Sequence, residues 1–115
     1  MYALRNFYGD VDVFDPLSHE LVRSVDLGHF SSSRSVTASA TGDIYMASWN
    51  GYVARYDASG VLLETLDIGG GLHDIDINNQ GDILVGSWNG EYYLTDESLA
   101  TYQAFAAPVV VGTID

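Results

Sequence analysis

Short apolar or alternating runs, each cut off by Gly, Asn, Asp or Ser, make up nearly the whole chain. Ile44-Tyr-Met-Ala-Ser-Trp carries β-branched and aromatic residues and is followed at once by Asn50-Gly51. That dipeptide between two strand-like runs predicts a hairpin with a type I′ turn, both of its residues at positive φ. Tyr52-Val-Ala-Arg-Tyr is then the returning strand, closed by the turn cluster Asp57-Ala-Ser-Gly60. Val61–Ile68 reads as a third strand stopped by Gly69-Gly-Gly71. His73-Asp-Ile-Asp-Ile77 alternates polar and apolar residues as a fourth. No window places apolar residues at i, i+3, i+4 and i+7 over helical length. The chain is predicted to be all β.

The pattern repeats. Gly42–Asp57 and Gly81–Asp96 align without a gap, 39 residues apart, sharing Gly-Asp-Ile and Ser-Trp-Asn-Gly. A third, diverged copy opens the chain: moved forward by 42, Met1–Asp15 sets Tyr2 on Ile44, Leu4 on Met46, Phe7 on Trp49, Gly9 on Gly51 and Val11 on Val53. The longer spacing comes from Gly28–Arg34, three residues longer than the matching Gly69–Leu72. Four short strands in a unit of about 40 residues predict a β-propeller blade, a four-stranded antiparallel meander. A stacked β-solenoid is the competitor, but its repeats are usually shorter and lack the meander. The units fall at about 1–34, 35–72 and 73–105.

Ser35-Val-Thr-Ala-Ser-Ala-Thr-Gly-Asp-Ile-Tyr-Met-Ala with Tyr52-Val-Ala-Arg-Tyr-Asp-Ala-Ser-Gly-Val-Leu resembles the NHL-repeat group of six-bladed propellers. Blades of that group run a small-apolar alternation, a Gly-Asp or Gly-Asn turn, Ile-Tyr-Val, and a strand ending Phe/Tyr-Asp-x-x-Gly. This chain has Trp-Asn-Gly in place of the longer Asn-rich hairpin of many such blades. Val11–Val22 is equally similar to other bacterial propeller families. The resemblance implies the fold and no particular activity.

Three blades do not close a ring, since propellers have about four to eight, and an open arc leaves an apolar sheet face bare. Met1 aligns with Asp43, so nothing precedes the second strand of the first unit, whose innermost strand is missing. At the other end, Gly112-Thr-Ile-Asp115 falls on His73-Asp-Ile-Asp76 at the 39-residue spacing, a spare innermost strand. Segment 106–115 of one chain is therefore expected to complete the first blade of another, two chains making a homodimeric six-bladed ring. Other ring sizes, and a chain that is part of a longer propeller, are the alternatives.

Sixteen acidic against four basic residues, net charge −12, oppose nucleic-acid phosphates and anionic membranes. Acidity also keeps a β-rich surface soluble. Cysteine is absent, so disulfides and thiolate metal sites are excluded. No signal peptide is visible at Met1-Tyr-Ala-Leu-Arg-Asn, and no apolar run reaches membrane-spanning length. The chain is expected to be soluble, with its compartment unknown.

Candidate chemistry gathers on the loop face, where the second-to-third hairpins and the outer-to-inner connections of a propeller emerge together. Trp49 and Asn50, Trp88 and Asn89, His29, Arg34 and His73 belong there. Repeated Trp offers a platform for a sugar ring or another small apolar ligand, with Asn amides beside it. The competing reading makes each Trp a blade-packing residue followed by turn chemistry, and Phe7 at the third position favours it. Asp74, Asp76 and a neighbour's Asp115, beside His73, would ring the axis as carboxylates suited to Ca²⁺. A catalytic version resembles the six-bladed lactonases and esterases, in which a channel metal activates substrate or water. Ser35 and Thr37 stand at the matching places in the second unit and argue for plain solvated strand positions. The first expectation is a non-enzymatic binding or scaffold module that assembles with itself; a metal-assisted hydrolase is the second.

Overall fold

The computed structural model describes residues 1–6, 8–28 and 32–106. Phe7, His29, Phe30, Ser31 and the tail 107–115, with Asp115, lie outside the described residues. Among the described residues eleven strands form three antiparallel meanders in chain order. The first sheet holds β1 (Tyr2–Leu4), β2 (Asp10–Phe14) and β3 (Leu21–Asp26). The second holds β4 (Ser33–Ala38), β5 (Ile44–Ser48), β6 (Tyr52–Tyr56) and β7 (Leu62–Asp67). The third holds β8 (Leu72–Ile77), β9 (Asp82–Ser87), β10 (Glu91–Asp96) and β11 (Gln103–Ala106). The arrangement is propeller-like, and among the described residues the first sheet has no counterpart of β4 and β8. Ala106, which the repeat spacing assigns to the tail, pairs with Glu91 at the end of β11.

Two apolar cores join the sheets. Val11, Val25 and Leu27 of the first sheet meet Ile44, Met46 and Tyr56 of the second. Tyr45, Ala47 and Val53 on the other side of the second sheet meet Ile75, Ile83, Val85 and Leu99. Successive strand residues point to opposite faces, so β5 is buried along its whole length because both its faces are covered. The outer sheets keep one covered face each, as the alternation of β2 and β9 shows.

One register expectation fails. Tyr2 pairs with Val13 and Leu4 with Val11, whereas Tyr45 pairs with Arg55 and Ala47 with Val53. Val11 and Val53 hold equivalent places, so Tyr2 stands where Tyr45 does rather than on Ile44, and Leu4 on Ala47 rather than on Met46. The first hairpin is one residue longer, and a one-residue slip exchanges the faces of a strand. Asn6 Oδ1 accommodates the extra residue by accepting the Tyr8 and Asp10 amides at 2.9 and 3.4 Å.

The hairpin turns also differ from the type I′ expectation. Gly51 and Gly90 take φ of 93° and 88°, but Asn50 and Asn89 do not take positive φ. The Gly51 amide donates to Ser48 O at 3.1 Å. Trp-Asn-Gly is thus a three-residue connection, a turn followed by a left-handed glycine in a bulge.

Burial of tyrosine has a measurable consequence. Desolvation pushes Tyr45 and Tyr56 up to about 12, and burial with a bond to Glu91 Oε1 raises Tyr93. The folded chain therefore holds these protons more tightly than an unfolded chain, whose phenols titrate near about 10. The stability this gives is fully present below about pH 10 and is lost as pH rises through about 12. Phenolate absorbance should show Tyr45 and Tyr56 titrating at about pH 12, together with unfolding. Their titration near the unperturbed value of about 10 in a chain that stays folded would contradict it.

Candidate functional site

The loop rim is built by repeated local devices. In β4, Ser33 pairs with Ser48 and Ser35 with Ala47, leaving Arg34 unmatched; in β8, Leu72 pairs with Ser87 and Asp74 with Gly86, leaving His73 unmatched. Each is a β-bulge, which re-aims the extra side chain. Arg34 and His73 are thus equivalent residues, both exposed, at the rim ends of the two innermost strands. The Arg34 guanidinium lies 5.1 Å from the centre of the Trp49 ring, within cation–π range.

Trp49 and Trp88 meet across the junction of the second and third sheets, ring centres 6.0 Å apart and planes 39° from parallel. Gly71 makes the meeting possible: a Cβ there would sit 2.7 Å from both Trp49 Cζ3 and Trp88 Cδ1. Trp49 is 38% exposed and Trp88 66%. Trp49 is therefore partly a junction residue, as the packing reading has it, while Trp88 offers most of its ring to solvent. Asn89 Oδ1 is occupied within its own turn, accepting the Glu91 amide at 3.2 Å and the Ser87 hydroxyl. Asn50 is exposed at the matching tip.

On the other side of Arg34 lies a cleft of about 440 Å³ between the first and second sheets, lined by Leu4, Arg5, Asn6, Tyr8 and Arg34. Arg5 is anchored there, its Nη2 donating to Asp12 Oδ1 at 2.6 Å and to the Ser24 hydroxyl oxygen at 3.1 Å. That guanidinium and the Ser24 hydroxyl hold the Asp12 carboxyl below the usual carboxylate range. Tyr8, Arg34, Trp49 and Trp88 thus follow one another along the rim, and two of the chain's four basic residues lie on it. Arg5, Asn6 and Tyr8 were not singled out from the sequence; the sign was there in Tyr8, which overlays Asn50 at the hairpin tip.

The acidic set comes together less. Asp74 and Asp76 are exposed on β8. Asp74 Oδ1 accepts from the Ser35 hydroxyl at 3.5 Å, repeat-equivalent residues facing each other across the two innermost strands. Asp76 Oδ1 accepts the Ile77 amide at 3.0 Å. Among the described residues no three His, Asp or Glu side chains converge as a cation cage. Asp115, the remaining member of that set, and His29, expected on the rim, fall outside them. Among the described residues no helix is long and apolar enough to cross a membrane. Neither a family model nor a curated protein matches the chain.

Proposed function

We propose that this chain is a non-enzymatic binding module of the propeller type, three blades of a ring that a second copy completes, and that its rim takes a carbohydrate. The observation that carries the ligand reading is the Trp49–Trp88 pair over Gly71, with the Arg34 guanidinium over the Trp49 ring. An indole face left two-thirds in water suits the apolar face of a sugar ring, and Arg34, over the neighbouring Trp49, supplies donors for hydroxyl groups. The ring reading is supported by a first sheet one strand short and by the tail sequence Gly112-Thr-Ile-Asp115 that repeats the start of β8. Strand exchange through that tail would make each blade four-stranded.

Calorimetric titration of the full chain with a panel of oligosaccharides tests the ligand. Binding to at least one is expected, with Trp88→Ala weakening it about tenfold. The expectation combines the lost area with an aromatic stacking contribution of about 0.5–1.5 kcal/mol, and tenfold corresponds to about 1.4 kcal/mol. Silence across the panel from well-folded protein, or an unchanged affinity in Trp88→Ala, would sink the carbohydrate reading.

A further inference from the structure

Comparison of equivalent positions shows what an outward face of this repeat needs. On the second sheet, Tyr45, Val53 and Leu66 face the third sheet and are covered by it. At the same places on the third sheet stand Leu84, Tyr92 and Phe105, with Leu94 where Arg55 stands. Leu84, Leu94 and Phe105 are 39 to 44% exposed. Leu84 and Leu94 also line a hollow of about 330 Å³ with Asp76, Ile77, Asn78 and Asp82.

The covering within the chain is a turn as well as a sheet. The turn Asp96–Leu99 leans back on the second sheet: Leu99 is buried there, and Glu97 O accepts from the Tyr45 hydroxyl and from Arg55 Nη1. The turn Asp57–Gly60 leans back on the first sheet in the same way, with Ala58 O accepting from Arg23. Leu99 and Gly60 each take positive φ. The corresponding turn of the first sheet is one residue longer, from Asp15, whose Oδ1 accepts the Leu17 and Ser18 amides, to His19 at φ 61°, whose amide donates to Asp15 O. Among the described residues no sheet lies before this third turn for it to lean on. It presents Leu17, 91% exposed, while Met1 and Phe14 occupy the neighbouring places of Ile44 and Tyr56, both buried on the second sheet.

We infer that the outer face of the third sheet docks the first sheet of a second copy, with Leu17 entering the hollow lined by Leu84 and Leu94. The occupant follows from the molecule itself: a face of this kind is covered twice within the chain, each time by the next copy of the unit and its turn. Among the described residues the first sheet alone has a turn and a preceding face without a covering neighbour, so the contact is head to tail. The opposite pairing, third sheet on third sheet, would bring Asp76 and its symmetry mate into one apolar contact without a basic residue between them. This inference rests on the ring reading and adds to it the residues that meet; it is independent of the carbohydrate rim.

The test is the solution mass of the full chain by light scattering behind a sizing column, for wild type, Leu17→Asp and Leu94→Asp. Both side chains are exposed in the single chain, so either variant should fold, with unchanged circular dichroism. Wild type is expected at twice the chain's 12.5 kDa. Each variant alone is expected to run as a monomer. An equimolar mixture should recover a two-chain species, because one intact junction remains between the first sheet of Leu94→Asp and the third sheet of Leu17→Asp. A monomeric wild type would overturn the ring reading itself. A two-chain wild type whose mass survives both variants would place the contact elsewhere and overturn this inference alone. Loss of the dimer in Leu94→Asp but not in Leu17→Asp would mean third sheet against third sheet, and would overturn the head-to-tail contact.

Discussion

Tyr45→Ala is expected to remove about 3–5 kcal/mol of stability, the range for truncating a buried aromatic. Domains of this size hold only about 5–15 kcal/mol in total, so the loss leaves little. Tyr45 is fully buried on the second sheet's inner strand pair, and its ring fills the core shared with Ile83, Val85 and Leu99. Its hydroxyl donates to Glu97 O at 3.3 Å, which fixes the Asp96–Leu99 turn against the sheet. The alanine variant therefore loosens both the core and the latch that closes it. Tyr45→Phe keeps the ring and loses only the latch, a neutral hydrogen bond worth about 0.5–1.5 kcal/mol. Urea unfolding of the two variants separates these contributions. A midpoint for Tyr45→Ala within error of Tyr45→Phe would show that the second and third sheets are not held together by this core.

Gly51→Ala is expected to be strongly destabilising, and Gly42→Ala is its control. Both glycines take φ 93°, where an L side chain costs about 1–2 kcal/mol. They differ in what a Cβ would meet. At Gly42 the nearest atom is Ala58 Cβ at 4.0 Å; at Gly51 it is the Gly69 backbone, with Cα at 2.7 Å. Gly51 O also accepts the Ile68 and Gly69 amides at 2.8 and 3.1 Å, so backbone rests directly on backbone. Neither segment can yield without losing those bonds, and overpacking adds about 1–3 kcal/mol. Gly51→Ala should then lose about 2–5 kcal/mol in thermal or urea unfolding, and Gly42→Ala about 1–2. Equal losses would mean that conformation alone sets the cost and that the close approach is unimportant.

Much of the fold was legible because the repeat exposes itself. Gly-Asp-Ile and Ser-Trp-Asn-Gly recur without a gap, and each strand run between turn residues became a strand within a residue or two. Among the described residues the first sheet has three strands where the other two have four. What escaped were effects of a single residue. The bulges at Arg34 and His73 leave no mark in composition, since an extra residue in one strand is visible only against its partner. The first hairpin's extra residue was hidden because Phe7-Tyr8-Gly9 still overlays Trp49-Asn50-Gly51 by eye, while the strand before it changes face. The Asn-Gly rule gave the hairpin but the wrong turn, because the glycine is used as a bulge residue here. Of the rim, the Trp, Asn and Arg34 positions could be named from the repeat. The cleft formed by Leu4, Arg5 and Asn6 could not, because it depends on how two sheets meet.

Gly71 has one more consequence. By letting Trp49 and Trp88 meet at 6.0 Å it gathers both tryptophans of the chain at a single junction. Intrinsic emission therefore reports the second and third sheets parting from each other, and coupling between the two indoles makes that signal depend on their mutual angle. The first sheet contains no tryptophan. It could detach from Ile44 and Met46 without changing the colour of the light, so an optical melt of this protein follows one seam and passes over the other.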